Sequence, residues 1–416
     1  MTIRTRGAGP LAALLIGAAA CTVAAPSPAT VAPSPDRPAR TVTSQASASQ
    51  RPTASATPSG TPQLTTLDLH VETVDPDWTD FLLEFASDGE SVIYSSGAAD
   101  GSDDAAAPDL WRYRPGAEAP ELLWGNPRRD RSLVRIGGDR HIWAFAEMPL
   151  DNTRAWDLWL LTEPGGEALL LDTHPGDEDV SSLVPSFVVH EGQVAWTSFD
   201  SGPSGPVSQL LYAAAPDWES RLIAERPARE SELWFPSLRG SLLAYTEAVY
   251  STDMLTDERH VYLTNVADPD AQPVRLDTSG LATMPLLVND GVVWKEADRG
   301  FSMFNWGRLF LHDIFTGETS LLSMSSQEYV NYPSAGLRFV AAWGADAFTF
   351  TVYDLDLEMS RFVARYDHKT NQSVPQAHVA GDLLVWLYTT VDDSPIPGHS
   401  ELRYTFLPGA GTDRDR

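Results

Sequence analysis

The amino-acid sequence predicts an all-β protein, a seven-bladed β-propeller closed by an N-terminal strand. Three observations lead to this prediction. An aromatic residue ends a short apolar run about every 50 residues, a proline precedes most of these aromatics by about ten residues, and several β-type runs fit into each interval. Four strands in roughly 50 residues correspond to one propeller blade.

The aromatic residue that ends the second run of each repeat recurs seven times, at intervals of 43 to 53 residues. The copies are Tyr94, Trp143, Trp196, Tyr245, Trp294, Trp343 and Trp386. Seven copies predict seven repeats. One large aromatic per blade is typical of packing between neighbouring blades, so we assign these residues no role in ligand binding.

A proline precedes the aromatic in five repeats, at Pro185, Pro236, Pro285, Pro333 and Pro375. Proline has no backbone N–H and a fixed φ, so it is tolerated where a strand begins. We therefore expect strand a to follow the proline, strand b to contain the aromatic, and strands c and d to come next.

The last repeat is one strand short, because only a polar tail follows the β-type run 402–407. Near the other end of the folded part, residues 66–71 alternate apolar and polar side chains, as a half-buried strand does. We expect this segment to supply strand d of the last blade and so leave no unpaired edge. The propeller is predicted to span 64–407, with a disordered tail at 408–416.

The first 20 residues have a basic start, a short apolar stretch and small residues, which is typical of an export signal rather than a transmembrane span. Cys21 follows directly and is the only cysteine in the sequence. This arrangement resembles the lipobox of bacterial lipoproteins, in which the matching cysteine is acylated. The resemblance implies a palmitate-bearing anchor on the outer face of the bacterial cell membrane; a plain signal peptide with an incidental cysteine is the alternative.

Residues 21–63 are rich in Pro, Ser, Ala and Thr and contain almost no large apolar side chain. Such a segment cannot bury a core, so it predicts a disordered tether. The formal net charge of the chain is −28. This charge argues against nucleic acid as a partner, which requires a cationic surface, although solubility of an exported protein explains the same acidity.

The connections between strands b and c are longer in the sequence than the other connections, and long loops on a rigid scaffold often carry binding residues. Carboxylates recur two or four residues after the aromatic, at Glu147, Asp200, Glu247 and Glu296. Even offsets place them on the aromatic's side of the sheet if strand b continues. They could ring one mouth of the propeller, or simply be solvated strand ends in an acidic protein.

The connection at 295–306 differs from the others because it combines two cations with three aromatics. Lys295, Glu296, Arg299 and Trp306 are its candidate ligand-binding residues. Exposed aromatics beside hydrogen-bonding groups suit a carbohydrate or peptide ligand. Aromatics folded back under the loop are the alternative.

No catalytic, metal-binding or cofactor motif stands out. The sequence has no HExxH, GxGxxG or P-loop pattern, and 202–205 does not complete a GxSxG elbow. The acidic run 100–104 lacks the glutamate that a calcium loop requires downstream. We therefore predict no catalytic residues, no metal and no cofactor.

Residues 85–94 and 109–113 resemble the blade pattern of the TolB-like group of exported β-propellers, which combines an Asp-Gly turn, an apolar run ending in an aromatic, and an apolar-Tyr run. Residues 311–318 are similar to that group's turn between strands c and d. The resemblance implies fold and export and carries no catalytic residues. Members of the group range from envelope scaffolds to peptidase gates and carbohydrate-active lyases.

These observations favour a binding or scaffolding module for an unknown protein, peptide or carbohydrate at the bacterial surface. One alternative is a propeller hydrolase or lyase acting on extracellular carbohydrate, with Glu147, Glu247 or Glu296 as acid or base and His141 or His190 assisting. Two converging carboxylates would favour glycoside hydrolysis. A second alternative is a structural surface protein that assembles through its flat faces.

Overall fold

The structure is a computed structural model, and only part of the chain is described. The described residues are 65–66, 71–74, 82–96, 108–128, 130–151, 154–176, 184–250, 256–297, 307–322, 330–344, 349–356, 359–365, 377–389 and 400–407. The predicted signal peptide, Cys21, the tether and the tail at 408–416 lie outside them. No helix in the described part is long and apolar enough to cross a membrane.

The described residues form 29 β-strands and no helix, which confirms the all-β prediction. Two short strands come first, β1 (Thr65–Thr66) and β2 (Glu72–Thr73). Most of the remaining strands form antiparallel sheets of four consecutive strands, which we call sheets A to D in chain order. In each sheet the first strand pairs with the second, the second with the third and the third with the fourth.

Sheet A contains β3 (Leu82–Ser87), β4 (Val92–Ser96), β5 (Asp109–Tyr113) and β6 (Glu121–Trp124). Sheet B contains β7 (Arg131–Gly138), β8 (Trp143–Pro149), β9 (Trp156–Leu161) and β10 (Leu169–His174). Sheet C contains β11 (Phe187–His190), β12 (Gln193–Gly202), β13 (Gly205–Ala214) and β14 (Arg221–Pro227). Sheet D contains β15 (Ser231–Arg239), β16 (Leu242–Tyr250), β17 (Thr256–Asn265) and β18 (Val274–Arg275).

The next eight strands form two four-stranded halves, E and F, of one nine-stranded sheet. Half E contains β19 (Ala282–Leu287), β20 (Gly291–Ala297), β21 (Gly307–Asp313) and β22 (Thr319–Leu322). Half F contains β23 (Val330–Ala335), β24 (Phe339–Gly344), β25 (Thr349–Asp354) and β26 (Met359–Arg365). Among the described residues, the pairing across the two halves joins Gly307 to Val330, and β1 runs parallel to β26 as the ninth strand.

The final sheet, G, joins the two ends of the described chain. It contains β27 (Ala377–Ala380), β28 (Leu383–Thr389) and β29 (Ser400–Phe406), with β2 as its fourth strand. The N-terminal strand of sheet G is therefore Glu72–Thr73 rather than the predicted 66–71. The alternation of apolar and polar residues does not reveal which residues pair, because register depends on the backbone partners. Here Val74 N donates a hydrogen bond to Leu402 O at 2.9 Å.

All seven recurring aromatics are buried. Trp143 packs against sheet A, Trp196 against sheet B, Tyr245 against sheet C and Trp294 against sheet D, so each contacts the sheet that precedes its own. Tyr94 of sheet A lies instead in a cluster with the last sheet, G. These clusters form the core, as the recurrence of one aromatic per repeat predicts.

The prediction that strand a begins after the proline is wrong in three repeats. Pro236, Pro285 and Pro333 lie inside β15, β19 and β23, each at a shift in the pairing register. A bulge leaves one residue out of the ladder, so the missing proline N–H costs no hydrogen bond there. Pro185 does precede β11, and Pro375 lies outside the described residues.

Two predicted long connections between strands b and c are mostly strand. Residues 197–208 belong to the hairpin of β12 and β13, which pair as far as Gly202 and Gly205. Likewise, β16 and β17 extend to Tyr250 and Thr256. Polar composition suggested loops, but cross-strand hydrogen bonds satisfy the backbone here.

Replacing Val74 by alanine tests the docking of the N-terminal strand. The side chain of Val74 is fully buried among residues of sheets A and G, so its truncation should lower the free energy of unfolding by about 2 kcal/mol. Val71→Ala is the matched control, because Val71 is exposed. Equal urea denaturation midpoints for the two variants would contradict the observed packing.

Candidate binding face and its buried charges

The second strands of sheets B, C and D and of half E continue past their aromatics. They include all four candidate carboxylates: Glu147 in β8, Asp200 in β12, Glu247 in β16 and Glu296 in β20. Each carboxylate therefore sits toward the end at which its sheet leads into the third strand. Their environments nevertheless differ greatly.

Glu147 is fully buried and forms an ion pair with Arg128. Arg128 also contacts Asp157 at 2.9 Å, and Arg131 contacts the same carboxylate at 2.9 Å. Burial raises the pKa of Glu147, and the positive charge of Arg128 opposes this rise. Glu147 therefore belongs to an internal charge network of sheet B and is not presented to solvent.

Glu247 links sheets C and D. Arg226, from the last strand of sheet C, contacts its two carboxylate oxygens at 2.7 and 3.2 Å, and Ser231 donates a hydrogen bond at 3.2 Å. A bidentate contact of this kind is the stronger form of arginine–carboxylate pairing. Glu247 is buried, so this ion pair links the neighbouring sheets away from solvent.

Glu296 is half-buried. One of its carboxylate oxygens accepts hydrogen bonds from Ser279 Oγ at 2.9 Å and from Trp294 Nε1 at 3.0 Å. The second contact shows that Glu296 and the aromatic of its repeat share one side of β20, as the even offset predicts. Part of its side chain stays exposed to solvent.

Lys295 was expected in a loop, but it lies in β20 and is fully buried. Its Nζ donates a hydrogen bond to Asn331 Oδ1 of half F at 2.7 Å. Burial lowers the pKa of Lys295 to about 7, and the positive charge of Arg259 adds to the effect. The sequence could not show this, because strand β20 continues to Ala297, three residues past Trp294, where polar composition suggested a loop.

Asp200 is exposed near the tip of the hairpin formed by β12 and β13. Its carboxylate accepts a hydrogen bond from the adjacent Ser201 N at 2.6 Å. Arg299 and Trp306 lie outside the described residues, so the structure does not place them. Of the predicted ligand-binding residues, Asp200 and Glu296 are therefore the described ones with accessible side chains.

Sequence reasoning missed the partners of these groups, namely Arg128, Arg226 and Asn331. None carries a local signal, because each contact joins residues well separated in the sequence. Elsewhere, His260 contacts Asp277 at 3.3 Å and Glu258 at 2.9 Å. Even so, the described residues include no group of three His, Cys, Asp or Glu side chains placed to hold a metal ion.

No protein-family model matches this chain, and no curated protein matches it. Solved structures do match. The tricorn protease is similar with a TM-score of 0.50 and 10% identity, over 68% of this chain and 30% of the protease. The β-propeller domain of the Trilobed protease from Pyrococcus furiosus, described as having an open velcro topology, gives a TM-score of 0.53 and 11% identity over 78% of this chain and 92% of the domain.

An acylaminoacyl peptidase from Pyrococcus horikoshii is also similar, with a TM-score of 0.53 and 11% identity, over 80% of this chain and 52% of the peptidase. This chain thus spans 30% of the length of the tricorn protease chain and 52% of the length of the acylaminoacyl peptidase chain. At these identities the likeness concerns the fold alone. It supports a β-propeller fold for this chain.

Replacing Arg226 by alanine tests the link between sheets C and D. The change leaves the buried carboxylate of Glu247 without its bidentate partner, so the free energy of unfolding should fall by about 2 to 3 kcal/mol. Arg229→Ala is the control, because Arg229 is exposed on the same turn region. If both variants unfold at the same urea concentration as the unmodified protein, the ion pair contributes nothing to stability.

Proposed function

We propose that this chain is an exported, lipid-anchored, seven-bladed β-propeller that binds or scaffolds a protein, peptide or carbohydrate at the bacterial cell surface. In this proposal the N-terminal strand completes the last blade and closes the ring. Cys21 carries the lipid, residues 21–63 form the tether, and the surface at the ends of the second strands is the binding face.

Contacts between the two ends of the described part of the chain support the seven-bladed, closed arrangement. Strand β2 pairs with β29 of sheet G, and residues of sheets G and A share one hydrophobic cluster. The ring of Phe85 meets that of His378 edge-on at 5.2 Å. A chain whose first and last sheets bury apolar surface against each other is well suited to form a ring.

The observation that carries the binding proposal is the position of the longest connections within sheets. These are 97–108, 298–306 and 390–399, and each joins a second strand to a third strand. They consequently leave their sheets at the same end, where Asp200 and Glu296 are accessible. Arg299 and Trp306 belong to one of these connections and would supply a cation and an aromatic ring for a ligand.

The engagement of the candidate carboxylates argues against the carbohydrate-enzyme alternative. Glycoside hydrolysis needs two carboxylates that face one substrate. Glu147 is sealed in an ion pair with Arg128, and Glu247 is held by Arg226. Neither is available as an acid or base, so binding without chemistry is the better supported function.

The turn between β3 and β4 supports membership of the TolB-like group. Asp88 Oδ1 accepts hydrogen bonds from Glu90 N at 3.0 Å and Ser91 N at 2.6 Å. Gly89 has φ of +90°, a conformation that glycine adopts without strain. The Asp-Gly pair that carries the resemblance therefore has a defined structural role.

The lipid anchor is tested by labelling bacterial cells that express the full chain with radioactive palmitate. The unmodified protein should incorporate the label and fractionate with membranes, whereas Cys21→Ala should do neither. Retention of the label by the variant would refute acylation at Cys21.

The binding face is tested with glycan and peptide arrays. The double variant Glu296→Ala with Trp306→Ala should lose at least tenfold in affinity for any ligand that the unmodified protein binds. Phe315→Ala is a suitable control, because Phe315 is an exposed aromatic in the turn between β21 and β22, at the other end of half E. Unchanged binding by the double variant would exclude this face.

A further inference from the structure

The first strands of sheets A, B and G bring three ionisable side chains close to one another. Strand β3 contacts both β7 and β27, and these strands carry Glu84, Arg135 and His378 respectively. All three side chains are partly accessible to solvent. None of the three is among the residues assigned to the binding face, and the sequence analysis did not identify the cluster.

Arg135 is the central member of this cluster. Its Nη1 donates hydrogen bonds to Pro185 O at 3.1 Å and Ser186 Oγ at 3.2 Å, both in the segment leading into β11. The other guanidinium donors, Nε and Nη2, reach no acceptor among the described residues. Arg135 is half-buried and neither nitrogen is sealed from water, so both donors reach solvent.

Glu84 lies within electrostatic range of Arg135 but forms no direct ion pair with it in the described part of the chain. Burial raises the pKa of Glu84 to about 7, although Arg135 opposes the rise. Burial, helped by the charge of Arg135, lowers the pKa of His378 to about 4. Arg135 stays charged, because a guanidinium does not deprotonate in proteins.

The cluster is consequently cationic at neutral pH, with Glu84 about half ionised and His378 neutral. This local charge contrasts with the formal net charge of −28 carried by the whole chain. Burial of a cation is costly unless an anion or hydrogen bonds compensate it. The two neutral acceptors bonded to Nη1 offset only part of the desolvation cost of Arg135.

We propose that Arg135, Glu84 and His378 form an internal binding site for a singly charged carboxylate. The free Nε and Nη2 donors of Arg135 match the two oxygens of a carboxylate in a bidentate contact. The neutral imidazole of His378 offers one further N–H donor. Glu84 limits the charge of the ligand, because a dianion would repel it more strongly. This site does not depend on the lipid anchor or on the proposed binding face.

Binding at this site takes up a proton. A carboxylate beside Arg135 repels ionised Glu84, so the complex favours the protonated form of Glu84. If only that form binds, the protonated fraction falls about tenfold between pH 6 and pH 8, and the apparent Kd rises by the same factor. Of the charged groups in the described part, Arg135 is the one that acts on both Glu84 and His378.

The first experiment measures the unfolding temperature of the full chain in increasing sodium acetate, with sodium chloride added to constant ionic strength. Acetate stays ionised throughout this pH range. A ligand that binds only the folded state raises the unfolding temperature in proportion to its occupancy. We expect a saturable rise in acetate at pH 6 and a weaker one at pH 8; no rise beyond that in chloride would overturn the proposal.

One variant and one control sharpen the test. Arg135→Gln should abolish the response to acetate. Arg239→Gln should keep it, because Arg239 is also on a first strand, but its guanidinium donates to Val288 O and Asn289 Oδ1. An Arg135→Gln protein that responds like the unmodified protein would refute the site.

Glu84→Gln provides a second test that does not require Arg135 to be changed. This variant should still bind acetate, but with the same apparent Kd at pH 6 and pH 8. A tenfold pH dependence that persists in the variant would exclude Glu84 as the coupled group and overturn the cluster as described.

A small organic acid and the C-terminus of a peptide both present a carboxylate, so acetate alone does not distinguish the two sources. Acetyl-alanyl-alanine and its C-terminal amide do distinguish them. Binding of acetate and of the free-acid peptide, but not of the amide, indicates that a chain end fits. Binding of acetate alone indicates a site for small acids.

Discussion

The structure depends on the burial of both faces of the second strands of its sheets. The second strands carry apolar residues on both sides, and the recurring aromatics insert between neighbouring sheets. A four-stranded sheet with two apolar faces is not stable alone, since each face must be covered to remove it from water. Each sheet therefore requires a neighbour on either side, and sheets A and G, which have one sequence neighbour each, cover one another.

The same constraint explains where the charged residues lie. Strand ends that approach the interfaces between sheets become buried together with their neighbours, and a buried charge is tolerated when it is paired. Glu147 meets Arg128 within sheet B and its preceding segment, and Glu247 meets Arg226 across two sheets. Residues that the sequence marks as a binding surface thus become parts of the scaffold, while Asp200 and Glu296 remain accessible.

Arg135 and Lys295 are two cations on strands that pack between sheets, and burial lowers the pKa of each. Lys295 bonds to Asn331 of half F, whereas Arg135 uses one nitrogen and leaves two donor positions facing accessible space. This difference distinguishes a cation that serves packing from one that can serve a ligand.

The sequence by itself determined the all-β class, the length of the repeat and the aromatic that fills each interface, because these follow from local patterns of apolar and polar residues. It also indicated that the N-terminal chain joins the last sheet. Tertiary structure decided the register of that strand, the bulges that hold Pro236, Pro285 and Pro333, and the burial of Glu147 and Lys295. These features depend on contacts between residues far apart in the chain, which no local pattern encodes.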